Sequence, residues 1–431
     1  MPLHEGKRNW VFGKAKQIIG HARVGEGPAR VDIDPQALDA FANELANFKE
    51  LRQEISRLDV DIYVDMTLAH EISNDLPNGA ATGALLSALL TNERVEYWAN
   101  RIWNWASSIP HKYTYIVPLV GLGPFGADSL QIGANLELVD TTKPDEVRTL
   151  KVVSAKEYKA ELEDSYRASH LQRDMRYICV EASGYHSGGF SRESAPTRAL
   201  SRLKQFLVLA KAAQVLDTTW RPSEDVPPDV AMLATSFEGS WRSLQVEKPQ
   251  WEAIAQYGFS KTAFQRSGFL ALLMGANPEN GIPEGEWAQH LGSSLKNVAT
   301  AIDAASSNKA AERLCTCGEW LFDSEAERNQ TVAFLYACIG FEALLGEDER
   351  HGSGEMSDVG VTAMLADRVS FLTGGGREKR EEIRKQFRLF YGARSKVVHG
   401  RVPRLDPDDA RLLHWGRRTL YQCVSAELQH V

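Results

Sequence analysis

Residues 377–404 read REKREEIRKQFRLFYGARSKVVHGRVPR, and the spacing within this stretch decides how the last third of the chain folds. Ile383, Phe387, Phe390 and Val397 recur at helical intervals, so they mark the core-facing stripe of one long helix. That helix is expected from about Arg377 to Val398, with Gly400 as its C-cap. Arg394 falls on the same stripe, where an apolar residue is expected. The stretch holds ten Lys or Arg against three Glu, a local charge of +7 that leaves −15 on the remainder of a chain whose net is −8. Such a strip is either a phosphate-binding surface or a solvated helix face beside acidic neighbours.

On the N-terminal side, AAERLCTCGEWLFDSE (310–325), NQTVAFLYACIGFEALLG (329–346) and VGVTAMLADRVSFL (359–372) each predict a helix, and Gly374 to Gly376 a connector. On the C-terminal side, Asp406-Pro407-Asp408-Asp409 opens another. Asp caps, Pro suits the first turn, and the acids face the positive end of the helix dipole. Four or five short helices make a bundle.

The earlier residues alternate element types. Residues 1–30 show no clear periodicity. Asp34-Pro35 starts a helix expected through residues 38–56, and DVDIYVDM (59–66) alternates like a strand. A helical stretch carries the cluster Trp98, Trp103 and Trp105, read as core packing in preference to a base- or sugar-binding patch. TYIVPLVGL (114–122), LQIGANLELV (130–139), YICVEASGY (177–185) and VAMLATSF (230–237) read as strands. Residues 197–216 read as a helix, as does SGFLALLMG (267–275). The Pro- and Gly-rich loop ANPENGIPEGE (276–286) is the expected boundary. The expected fold is therefore α+β: a mixed α/β body over 1–285, of one or two subdomains, then an all-helical domain over 286–431.

Composition narrows the function classes. Five scattered cysteines suit a reducing compartment better than a disulfide framework, and no apolar run is long enough for a membrane helix, so a cytoplasmic protein is expected. Gly121, Gly123 and Gly126 match a dinucleotide glycine pattern, but a strand follows where a helix N-terminus is needed, so a hairpin loop is expected and no cofactor. Cys315 and Cys317, two apart on a helix, point to opposite sides and lack a second ligand pair, so no metal is expected.

Two charges on apolar helix faces stand out. Glu342 sits among Leu335, Cys338, Ile339 and Leu345, and Arg394 interrupts its own stripe. An isolated buried charge costs on the order of several kcal/mol, so each needs a partner. Either the two pair with each other, or the Arg394 stripe is a dimer seam opening on a cleft. His399 follows Arg394 by five residues, about 140° around an unbroken helix, so the two converge only if the helix ends or bends there.

The blocks ACIGFEALLG (337–346), LADRVSFLTG (365–374) and FRLFYGARSKVVHG (387–400), in that order and spacing, resemble the Apea-like branch of the HEPN superfamily. The resemblance covers roughly residues 290–431. It implies a dimerising helical bundle that brings two motif copies to one cleft, and a metal-independent endoribonuclease of bacterial defence or toxin systems. Arg394 and His399 would be the motif pair. Ser395 stands where Asn or Asp is common in the family.

These side chains suit the chemistry. RNA supplies its own nucleophile, the 2′-hydroxyl, so the protein need only position it and handle charge and protons. An imidazole exchanges protons near neutrality, and a guanidinium grips phosphate with two prongs as charge builds. Lys396, Arg401, Arg404 and Arg388 would guide the RNA backbone, with Ser395 and Glu342 supporting the pair. The alternative is a catalytically inactive module that dimerises and binds nucleic acid or protein. In either case the N-terminal body would sense a phage or protein trigger, restrain the helical domain or select the RNA.

Overall fold

The structure, a computed structural model of the 431-residue chain, describes residues 3–26, 31–77, 79–119, 127, 129–140, 176–186, 193–218, 231–235, 241–259, 284–346, 360–399 and 404–431. The fold is α+β, and the chain forms two compact units. The first gathers 1–113, 182–198 and 234–244; the second gathers 114–181, 199–233 and 245–431. The expected helical domain 286–431 lies wholly within the second, and the loop 276–286 lies outside the described residues up to 283.

The first unit begins with a helix where no periodicity was expected. α1 (Arg8–His21) buries Val11, Ala15, Ile18 and Ile19, a helical spacing masked by the charged residues between them. β1 (Arg23–Val24) and β2 (Val31–Asp32) pair antiparallel. α2 (Pro35–Ala46) starts as its sequence dictates: the Gln36 N–H donates to the Asp34 side chain at 3.0 Å, with Pro35 in the first turn. It stops at Ala46, earlier than expected, and turns follow.

The expected strand at 59–66 is helical instead. α3 (Arg57–Asp61) runs into a π-helical stretch, Ile62–Leu68. A capping box starts it, Ser56 and Asp59 each bonding the other's backbone, and Val60 and Val64, four apart, are both fully buried. An apolar–polar alternation containing that pair fits a helix as well as a strand. α4 (Asn92–Ser108) carries the tryptophans, and all three are buried. Trp98 Nε1–H donates to Asp75 at 2.9 Å, and Trp105 stacks on Tyr63 with centroids 4.1 Å apart. The cluster is core.

β3 (His111–Pro118), β4 (Ser129–Gly133), β5 (Leu136–Asp140), β6 (Arg176–Gly184), β8 (Ala231–Thr235) and β9 (Trp241–Gln245) form one sheet in the order β4-β5-β6-β3-β8-β9. The segment 130–139, expected as a single strand, is the hairpin of β4 and β5, turning at Ala134-Asn135. Its tip is held where the Ala134 N–H donates to Asp303 at 2.8 Å. The glycine loop Gly121–Gly126 and the segment 267–275 lie outside the described residues. α5 (Ser194–Ala212) meets the expected helix, and β7 (Leu216–Thr218) pairs with β10 (Tyr257–Phe259) after α6 (Lys248–Gln256).

The C-terminal helices follow the sequence closely. They are α7 (Glu284–Ala304), α8 (Lys309–Ala326), α9 (Gln330–Leu345), α10 (Val361–Thr373), α11 (Arg377–Val398) and α12 (Pro407–Glu427). The described helices here number six, against the four or five expected, because α7 joins the set. Asn308, Asn329 and Asp406 cap α8, α9 and α12 through their side chains. All five cysteines are buried thiols, Cys315 and Cys317 among them. Among the described residues no helix is long and apolar enough to cross a membrane, and no His, Cys, Asp and Glu cluster could hold a metal ion.

Candidate nucleic-acid interface

α11 is fixed by an aromatic seam. Phe390 packs against Phe334 (4.6 Å between centroids), Phe341 (5.6 Å) and Trp415 (6.0 Å), while Phe387 meets Phe341 edge to face at 5.1 Å. Ile383, Phe387 and Phe390 of the expected stripe are buried, with Ala393 beside them, while Val397 is only part-buried. Gly416 of α12 is required here, because a Cβ at that position would run into the Phe390 ring.

At the edge of that seam, Arg394 and Glu342 pair as one of the two sequence alternatives had it. Arg394 Nη2 lies 3.0 Å from Glu342 Oε1, and each side chain is about a third exposed. The same oxygen accepts a hydrogen bond from the Tyr391 hydroxyl at 2.6 Å, and the guanidinium sits over the Tyr391 ring at 5.1 Å. Burial, then the bond to the Glu342 carboxylate, hold the Tyr391 hydroxyl above the ordinary tyrosine range. Tyr391 was not among the sequence candidates. Its place one turn before Arg394, on the same side of the helix, was the available signal.

His399 stands elsewhere. α11 continues to Val398, and His399 is its C-cap, its N–H donating to the Ser395 carbonyl at 3.1 Å. With no earlier end, the motif positions lie about 140° apart around the axis. Arg394 sits beside the core, and His399 is exposed. Within the chain they do not share a face.

His399 instead completes another row. Lys385, Arg388, Gly392, Ser395 and His399 recur at intervals of three and four and are all exposed, with Lys396 exposed beside them. The row extends roughly 21 Å at the helical rise per residue. Arg404 is exposed as well, while Arg401 and Gly400 lie outside the described residues.

The +7 strip is unevenly available. Arg377 pairs with Glu381 (3.3 Å), Lys379 with Glu382 (2.8 Å) and Arg384 with Asp367 (2.5 Å). Arg380 donates to the Gly374 carbonyl at 3.1 Å and covers the Phe371 ring. Lys385 and Arg388 make no ion pair among the described residues. Lys396 acts on the buried Asp409, whose carboxyl loss of solvation raises and the lysine charge lowers. Among the described residues of α11, the exposed cations without an ion pair thus lie on the His399 side of the helix.

No family model matches the chain, and neither the curated proteins nor the solved structures hold a match to it.

Proposed function

We propose that the helical region binds RNA along the exposed face of α11 and acts as a metal-independent endoribonuclease of the HEPN type in the cytoplasm. The observation that carries this reading is the exposed row Lys385, Arg388, Ser395 and His399, with Lys396 alongside. Cations at this spacing follow a phosphate backbone, and the imidazole at the row's end meets the same backbone. His399 would exchange protons with the 2′-hydroxyl or the leaving 5′-oxygen, and Arg394 would balance charge on the phosphorane. The products would be a 2′,3′-cyclic phosphate and a 5′-hydroxyl end. Because the two side chains lie on different faces of one helix, the Arg394 of a second copy would complete the site. That makes a homodimer the working form, with the N-terminal body restraining it until a phage or protein trigger arrives.

The Glu342–Arg394 pair favours a second reading. A guanidinium already held by a carboxylate and a tyrosine is less available to phosphate, as in a module that binds RNA or a protein and cuts nothing. Parent protein, Arg394→Ala and His399→Ala incubated with total RNA or tRNA separate the two. Cleavage by the parent alone supports the nuclease. Equal cleavage by all three removes it, and tight binding without turnover by the parent selects the second reading.

A further inference from the structure

Gly392 lies inside the 22-residue helix α11, and it is exposed. In a helix interior glycine is the least stabilising residue short of proline. The packing of α11 does not require it: a Cβ built there meets no atom within 4 Å among the described residues, whereas one on Gly416 runs into Phe390. We propose that Gly392 seats a phosphate of the bound RNA, distinct from the one that reacts, where the strand crosses α11 against bare helix backbone.

The positions adjoining Gly392 on the helix surface, three and four residues away on either side, are Arg388, Leu389, Ser395 and Lys396. All four are exposed, Leu389 to 52%. Arg388 and Lys396 make no ion pair among the described residues, so two cations and a hydroxyl ring a gap one residue wide. Helical Cα–Cβ bonds tilt toward the N-terminus, so Ser395 and Lys396 lean back over that gap. A phosphate there takes the planar fork of the guanidinium, the ammonium and the hydroxyl, and Leu389 gives the ribose an apolar wall.

The neighbouring carboxylates are otherwise engaged or distant. Glu378, Glu381 and Glu382 lie about three turns or more before Gly392, and the last two pair with Arg377 and Lys379. Asp367 holds Arg384, and Glu342 holds Arg394 on the other side of the helix. At the start of α12, Asp406 caps the helix and Asp408 pairs with Arg411 at 3.3 Å. Asp409 feels the charge of Lys396, but it is buried and forms no ion pair with it among the described residues.

His399 stands seven residues beyond Gly392, roughly 10 Å along the axis, so the seated phosphate is not the one His399 serves. Holding it fixes the register of the strand, which is how binding away from the reaction positions the reacting bond.

The seat presupposes the RNA binding proposed above. Labelled tRNA and the full chain in a His399→Ala background, where the RNA stays whole, test it by anisotropy across a salt series. Arg388→Ala, Gly392→Ala and Gly392→Leu are each added to that background, with melting and gel filtration alongside. Gly392→Leu is expected to bind about tenfold more weakly, the loss of one charge-assisted contact. It should also lower the slope of log affinity on log salt by about 0.7 although it removes no charge. Gly392→Ala should lose less affinity, and in both the Tm should hold or rise, because a better helix former replaces glycine. The seat is overturned if both glycine variants keep the affinity and slope of the background; Arg388→Ala binding more weakly in the same series would leave the RNA reading standing. Weaker binding with a lowered Tm and an unchanged slope would make the glycine structural, and a changed oligomeric state would give the gap to a second copy of the helix; either overturns the seat. Absence of tRNA binding by parent and background alike removes the RNA reading and the seat with it.

Discussion

Arg394 and Glu342, on neighbouring helices α11 and α9, meet at 3.0 Å through a carboxylate oxygen that also takes the Tyr391 hydroxyl. The charge that breaks the apolar stripe of α11 is thereby satisfied without being sealed from solvent. It sits next to a core built from phenylalanines, and the two environments should respond differently to truncation.

Arg394→Ala is expected to cost about 1 kcal/mol, the scale of a partly exposed ion pair plus a rearranged tyrosine bond. Phe390→Ala, from a fully buried site, is expected to cost about 3–5 kcal/mol. Urea denaturation of the two variants and the parent measures this. A loss at Arg394 as large as that at Phe390 would make the guanidinium a structural strut.

RNA affinity should carry the signature of the exposed row. In the dependence of log affinity on log salt, Arg388→Ala is expected to lower the slope by about 0.7, one single-strand phosphate contact, and Lys385→Ala likewise. Arg384→Ala, whose charge is engaged by Asp367 at 2.5 Å, should lower it less. Fluorescence anisotropy across a salt series reads the slopes, and three identical slopes would remove the row from the interface.

Stability should fall at alkaline pH. Burial pushes the Cys315 thiol up to about 12 and raises those of Cys317, Cys338 and Cys423 as well. Unfolded thiols ionise near the ordinary value of about 8.5. Above that pH the folded chain holds more protons than the unfolded one, so the thiols' contribution, complete at lower pH, is lost as pH rises through the folded values. Denaturation midpoints should therefore decline from about pH 9 upward. In the folded protein the thiols should be silent to a thiol reagent and should react once denaturant is added. Rapid labelling of the folded chain would contradict the burial.

Trp105→Ala is expected to destabilise the first unit by about 3–5 kcal/mol, because its ring is buried and stacked on Tyr63. RNA affinity should not change. Weakened affinity with intact stability would return the tryptophans to the ligand-binding role that core packing displaces.

What the sequence disclosed was local. The core stripe of α11 and the Asp34 and Asp406 caps are set by neighbours a few residues apart, and they stand where expected. The Glu342–Arg394 pair was legible because a charge on an apolar face demands a partner. The helix at 59–66 was not, since the Ser56–Asp59 capping box outweighs an alternation that two valines four apart satisfy equally well. Nor was α1, whose four buried residues are diluted by Lys14, Lys16 and Gln17. The cluster of Lys211, Tyr421 and Glu325 could not be read at all: its members, far apart in sequence, meet only after the chain has folded.

End-group analysis of RNA incubated with the parent protein, with His399→Ala and with an all-deoxy copy of the substrate tests the nuclease reading most directly. Transfer to the 2′-hydroxyl requires a 2′,3′-cyclic phosphate from the parent, none from His399→Ala, and an intact deoxy strand. Cleavage of the deoxy strand, or the same product at the same rate from His399→Ala, would contradict it.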